Sequence, residues 1–438
     1  MVNTEQLILR DRQHIWHPCT QMKELEHTPL LVIEKAKGSI LYTNQGPLID
    51  AISSWWCKSL GHGHDAIISA ITKQMSCFEH VISANTTHPA LVELGEQLAH
   101  ITKKQHVFFA SDGSCAIEIA MKLCMHAMKI KGFADKKQFI ALKNAYHGET
   151  LGALSVSDLG LYKTPYEGLG IECTFIEPPY VSSMQDPLWS DCATHWATTE
   201  LQLEAVKEKA CAILVEPIIQ GAAGMKCYSA DFLKRLAQWA KKNDIYLIAD
   251  EIMTGWGRTG QWLASQHASI EADLICLSKG LTSGSIPFSC VMIDHAVFDL
   301  FYSDESSRSF LHSHTYSGNP LAISAALATI HVMQQERIPE QAARMGNLML
   351  NHLQAIAKTT GKISQVRGIG AVVAAELETQ EGLKIDESIY KEALKLGALL
   401  RPIGNTLYWL PPLNSDDQLI ENLAEITQQA IYNSYLCT

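Results

Sequence analysis

The feature that most restricts the fold is a series of short, strongly apolar segments spaced by helical ones. They are residues 107–110 (VFFA), 138–142 (QFIAL), 212–215 (AILV), 246–249 (YLIA), 274–277 (LICL) and 289–293 (SCVMI). Each is too short for a helix and carries no alternating polar face, so each reads as a strand buried on both sides. Between them, Ile117, Met121, Cys124 and Met128 recur at helical spacing, and Gly132 ends that pattern. Residues 231–242 (DFLKRLAQWAKK) read as another helix. Strands alternating with helices imply βαβ units and an α/β fold with a mostly parallel sheet. From about Gly318 the pattern turns helical (NPLAISAALATIHVMQQE). A second α/β segment follows, with 366–377 (VRGIGAVVAAEL) and 407–410 (LYWL) as strands, while 30–34 and 39–42 read as short strands around Gly38. The expected division is a large domain over 53–334 and a smaller one built from both chain ends, 1–52 and 335–438.

Composition narrows the function. Of 438 residues 47% are hydrophobic and 18% charged, enough apolar material for a large core. Lys and Arg number 35 against 46 Asp and Glu, a formal charge of −11, so nothing draws the chain to nucleic acid or anionic lipid. The twelve cysteines, from Cys19 to Cys437, include no CxxC pair, which fits free thiols in a reducing, cytoplasmic setting. No signal peptide and no membrane span is expected.

In open α/β sheets ligands bind outside the carboxyl ends of the strands. After VFFA comes Ser111-Asp112-Gly113-Ser114, leading into a helix. Small residues at a helix N-terminus suit a phosphate, although a plain N-cap is the commoner use. After YLIA stand Asp250 and Glu251; after LICL stand Ser278, Lys279 and Gly280. A buried lysine readily loses its charge and attacks carbonyls, and a buried aspartate holds a cationic nitrogen charged. A Schiff-base lysine, a partner for a ring nitrogen and a phosphate site are what pyridoxal phosphate requires of a protein. Tyr146, in Asn144-Ala145-Tyr146-His147-Gly148, could stack on such a ring or simply pack its loop.

Three motifs read otherwise. Gly368-Ile369-Gly370 lacks the third glycine of a dinucleotide fingerprint, Val373 standing in its place. His62 and His64 (GHGH) have no acidic or thiol partner at ligand spacing, so a loop is expected and no metal. Trp55-Trp56 could be core or the wall of an apolar channel.

The segments IADEIMTGWGRTGQW (248–262), LSKGLTSGSIP (277–287), NAYHGETLGALSVSD (144–158) and HTYSGNPLA (314–322) resemble the class III, fold-type I aminotransferases dependent on pyridoxal 5′-phosphate. The resemblance spans essentially the whole chain. It implies a large domain with a seven-stranded, mostly parallel sheet and a smaller α+β domain from both termini. It implies that Lys279 bonds the cofactor and shuttles the proton, that Asp250 pairs with the pyridinium nitrogen and that Tyr146 stacks on the ring. It implies that Gly113 and Ser114 hold the phosphate, that His314 belongs to the cofactor site, and that Thr315 reaches the phosphate from a neighbouring subunit, so a homodimer is implied.

WHPCTQM (16–22), the SSWW pair and RPIGNTLYWLPP (401–412) are similar to the branch that passes the amino group of S-adenosylmethionine to 8-amino-7-oxononanoate in biotin synthesis. This implies Arg401 for the substrate carboxylate, with Trp55, Trp56, Tyr146 and Tyr408 lining the pocket. Cys19, Ser313 and Arg258 join the substrate site, and Glu216 is a further participant. Another ω-aminotransferase using lysine, ornithine or 4-aminobutyrate is the alternative. Two departures stand out: Cys19 replaces an aromatic, often tyrosine, and Ser313-His314 replaces Gly-Pro.

Overall fold

In the computed structural model, which describes residues 3–28, 30–166, 168–379 and 383–436, seven strands form one sheet. Their order is His106–Ala110, Ser289–Ile293, Leu274–Leu277, Tyr246–Asp250, Ala210–Val215, Gln138–Leu142 and Cys173–Ile176. Ser289–Ile293 runs antiparallel to both neighbours, and the others share one direction. Cys173–Ile176 has no counterpart among the apolar runs. It is an edge strand, mostly half-buried, and so never needed a continuous apolar sequence.

The strand residues divide by pleat. Phe139, Ala212, Leu214, Ile248 and Cys276 pack on one side, against Ile117, Met121, Cys124 and Met128 of helix Gly113–Ile130. Ile140, Ile213, Leu247, Ala249 and Ile275 join the core on the other side, shared with helices Pro89–Thr102, Ala230–Lys242 and Pro320–Gln335. This is the three-layer solution for a sheet that must hide both faces.

The chain ends meet. Strands Ile33–Lys37, Ile40–Thr43 and Gly46–Asp50 form an antiparallel meander, and Ala398–Leu399 extends it in parallel, Ile49 opposite Ala398. The first strand begins at Ile33 rather than residue 30. Residues 366–377 are not one strand. Ile363–Gly368 and Val373–Leu377 pair antiparallel, and the latter pairs with Thr406–Trp409. The turn between them holds Gly370 at φ +56°, and a Cβ there would lie 2.2 Å from the backbone carbon of Thr259. The two glycines thus make a turn pressed against another loop, and no helix follows to cradle a dinucleotide.

Among the described residues no helix is long and apolar enough to cross a membrane. The described cysteines are free thiols; Cys437 lies outside the described residues.

Helix Ile338–Thr360 crosses the same turn at Gly346, where a Cβ would fall 1.9 Å from the carbonyl oxygen of Gly370. Gly346→Ala should therefore destabilise the protein by about 1–3 kcal/mol through overpacking. Differential scanning calorimetry should show a melting temperature lowered by a few degrees, and an unchanged one would contradict this packing.

Candidate active site

Strands Tyr246–Asp250 and Leu274–Leu277 are parallel neighbours, with Asp250 opposite Cys276. Asp250 and Lys279 therefore leave the sheet side by side at its carboxyl edge. At that edge Gly113 and Ser114 follow His106–Ala110, Tyr146 follows Gln138–Leu142, and Glu216 follows Ala210–Val215. One cavity of about 190 Å³ takes in Gly113, Ser114, Tyr146, Glu216, Asp250 and Lys279.

The polar groups are held in a dry setting. Asp250 is buried; its Oδ1 accepts from the Ile252 amide at 3.1 Å, and its Oδ2 lies 2.8 Å from Nδ1 of buried His147. His147 Nε2 is buried with no hydrogen-bond partner. Burial pushes the Lys279 amine below the ordinary lysine range, with Asp250 and Glu216 pulling the other way. Its Nζ stands 4.7 Å from the ring centre of Trp56. Glu216 is buried and accepts from the amides of Tyr146 and Gly221, both at 3.0 Å. Burial pushes its carboxyl up to about 7, Asp250 adding to the rise while His147 and these amides oppose it. Burial, followed by the Glu149 carboxylate that accepts its hydroxyl at 2.9 Å, also raises the Tyr146 phenol.

The cavity suits a phosphorylated pyridine aldehyde. It offers an amine able to be neutral, a buried carboxylate and the N-terminus of the 18-residue helix Gly113–Ile130. At Gly148, φ +126°, a Cβ would lie 2.2 Å from Ser114 Oγ, so the loop after Tyr146 closes directly on that helix end.

A second chamber shares Trp56, Tyr146 and Lys279 with the first. Its far wall carries Cys19, Trp55, Glu149, Tyr162, Arg401 and Tyr408. The Arg401 guanidinium lies over the Trp55 ring, 4.9 Å from its centre. Trp56 Nε1 donates to the Tyr408 hydroxyl at 3.1 Å. The two tryptophans differ: Trp56 is 6% exposed and Trp55 43%, so the pair is neither wholly core nor wholly wall. They sit on a turn, Ser53–Trp56, whose φ values are +50°, +44°, +73° and +70°. Such conformations cost about 1–3 kcal/mol each in residues other than glycine.

Of the residues singled out in the sequence, Cys19, Trp55, Trp56, Gly113, Ser114, Tyr146, Asp250, Lys279, Arg401 and Tyr408 face this double cavity. Arg258 does not. It is buried behind the site, donating to the carbonyl of Pro411 at 2.7 Å and also to that of Ala371, and so ties loops together rather than reaching a substrate. Ser313, His314 and Thr315 also lie outside their own chain's cavity, on a partly exposed segment. His147, Glu149 and Tyr162 were not read from the sequence. The first two lie inside the segment 144–158, but His147 meets Asp250 across 103 residues, a pairing no local pattern encodes.

The chain matches the family model for class-III aminotransferases over residues 21–431. It is 36% identical to the adenosylmethionine-8-amino-7-oxononanoate aminotransferase of Helicobacter pylori over 415 residues, 93% of each chain. The crystal structure of the enzyme of that name from Methanocaldococcus jannaschii superimposes with a TM-score of 0.91 at 30% identity, covering 98% of this chain and 99% of that one. An amine transaminase from an uncultivated Pseudomonas species, solved in its PLP-bound form, gives a TM-score of 0.88 at 28% identity, covering 97% of this chain and 98% of that one.

The raised carboxyl of Glu216 has a measurable consequence. Between the unfolded value, about 4.5, and the folded value, about 7, the folded protein keeps a proton that the unfolded chain releases. Stability from this group is thus lost as pH rises through that window. Glu216→Gln removes the loss, so the variant should gain on the parent by up to about 3 kcal/mol on going from pH 4.5 to 7. Urea unfolding of the cofactor-free protein at both pH values tests this; an equal offset at the two would contradict it.

Proposed function

The chain belongs to the class-III aminotransferases, and from that premise we propose that it passes the amino group of S-adenosylmethionine to 8-amino-7-oxononanoate, giving 7,8-diaminononanoate. Its cofactor is pyridoxal 5′-phosphate, which when bound supplies an aldehyde for the amine and an electron-withdrawing ring. The observation that carries the reading is the double cavity: Lys279 and Asp250 share one chamber, and Arg401 stands in the chamber that opens from it. Relatives named for this reaction, matched over more than nine-tenths of their length, support the choice of substrates.

Each residue has a distinct task. Asp250, steadied by His147, offers a carboxylate to the cofactor's ring nitrogen. Gly113 and Ser114, at the helix N-terminus, bind its phosphate. Tyr146 covers a ring face. Lys279, its amine brought toward neutrality by burial, takes up and returns the substrate proton. Arg401 binds the acceptor's carboxylate as a planar donor, and Trp55, Trp56 and Tyr408 enclose its aliphatic stretch. Cys19 also faces that stretch from the mouth. Trp56 and its neighbours keep bulk water from the reacting atoms.

The active unit is a homodimer in the cytoplasm. Thr315 of the partner subunit completes the phosphate site; in support, Ser313 and Thr315 are exposed, His314 is half-buried, and none of the three lines either chamber of its own chain. Residues 53–334 hold the cofactor, and 1–52 with 335–438 form the smaller domain. The pairing of Ile49 with Ala398 supports that division.

The test is direct. Holoenzyme given 8-amino-7-oxononanoate and each of S-adenosylmethionine, lysine, ornithine and 4-aminobutyrate should yield 7,8-diaminononanoate, by mass spectrometry, with S-adenosylmethionine. No diamine from any donor overturns the acceptor; diamine from lysine alone replaces the donor. Lys279→Ala should lose more than about 10⁴-fold in turnover, since general acid–base catalysis alone supplies about 10²–10⁴-fold. Arg401→Ala removes a charged hydrogen-bond pair worth about 1.5–3 kcal/mol, so KM for the acceptor should rise about 10–100-fold with the donor half-reaction little changed. Equal damage to both half-reactions would deny Arg401 that role.

A further inference from the structure

The turn that carries both tryptophans is the least favourable backbone in the site, and one buried cluster fastens it. Asp50, fully buried, ends strand Gly46–Asp50. Its Oδ1 accepts from the Ser54 amide at 2.9 Å and from the Ile52 amide at 3.4 Å. Its Oδ2 accepts from the Ser54 hydroxyl at 2.7 Å and lies 2.8 Å from His62 Nε2. His62 Nε2 also lies 3.3 Å from Ser54 Oγ. The histidine is itself anchored, because its backbone exchanges hydrogen bonds with Gly38 at 2.7 and 2.8 Å. At Gly61, φ +73°, a Cβ would sit 2.8 Å from the Gly38 carbonyl, so that bridge leaves no room for a side chain. The first histidine of the GHGH motif thus has its acidic partner after all, twelve residues upstream and brought near by the chain reversal.

We infer that Asp50 and His62 form a clamp that positions the substrate wall: they hold Ser53–Trp56 in its left-handed turn and so fix Trp55 beneath Arg401. The inference rests on the reading of the second chamber as the substrate pocket. Neither residue lines either chamber, so both are positioning residues. The arrangement is not a hydrolytic triad. Serine and histidine both turn to the same carboxylate, which leaves Nε2 engaged with Asp50 instead of activating a nucleophile. Without the carboxylate and imidazole Ser54 loses the bonds that offset its strain, and the Trp55 ring beside it leaves its station, while Trp56 keeps its bond to Tyr408.

A mutant cycle in holoenzyme tests this. Trp55→Ala and His62→Ala should each raise KM for 8-amino-7-oxononanoate at least about tenfold, with kcat changed less than about threefold and the bound cofactor's absorbance unaltered. The double variant should stay within about twofold of Trp55→Ala, because the clamp acts through the turn. His62→Gln, which can still donate to Asp50, should recover most of the loss. A KM in His62→Ala within about twofold of the parent, while Trp55→Ala is impaired, overturns the clamp and leaves the substrate reading intact. Losses that multiply in the double variant overturn it as well. If neither single variant moves KM, the substrate pocket reading falls and this inference with it. Should His62→Ala not fold, Ser54→Ala, which removes only the hydroxyl's bonds, takes its place in the cycle under the same criteria.

Discussion

The parallel register between Tyr246–Asp250 and Leu274–Leu277 is the constraint on which the site depends. It delivers a carboxylate and an amine, 29 residues apart in the chain, to one edge of the sheet. A shift of one residue would turn alternate side chains to the opposite face, and Asp250, which shares a pleat with Ile248, would leave the cavity. Burial on both faces makes such a slip expensive, because it exchanges Ile248 and Ala249 between two differently packed cores. The chemistry is thus positioned by apolar packing well below it.

Dryness then sets the character of those groups. Lys279 lies where losing its charge is eased, although Asp250 and Glu216 temper the effect. Asp250 keeps company with His147 and an amide, while Glu216, leaning on two amides, is held toward the protonated form by burial. The three groups form one coupled set, and altering any of them changes the field at the others.

The loops that finish the cavity are built from conformations a chain avoids elsewhere. Lys279 has φ +40°, Asn144 φ +64° and Ser53–Trp56 all lie in the left-handed region. The last of these is held by a buried hydrogen-bonded cluster, Asp50 against Ser54, and Asn144 by the hydrogen bonds of its amide to Asp158 and its side chain to Tyr180. Strain gathers where side chains must be aimed, and a well-packed sheet supplies the stability that tolerates it.

The amino-acid sequence by itself determined the layered α/β plan, because six apolar runs flanked by helical periodicity admit few other solutions, and it marked Lys279 and Asp250 by standing them at the ends of two such runs. It also marked Arg401 and the tryptophan pair through family motifs. Tertiary structure alone decided what long-range pairing decides: the edge strand Cys173–Ile176, the hairpin at Gly370, the burial of Arg258 behind the site, and the meetings of His147 with Asp250 and His62 with Asp50. Periodicity reports which side of an element faces the core. Which polar group it meets there depends on how separate elements cross, and no local pattern carries that information.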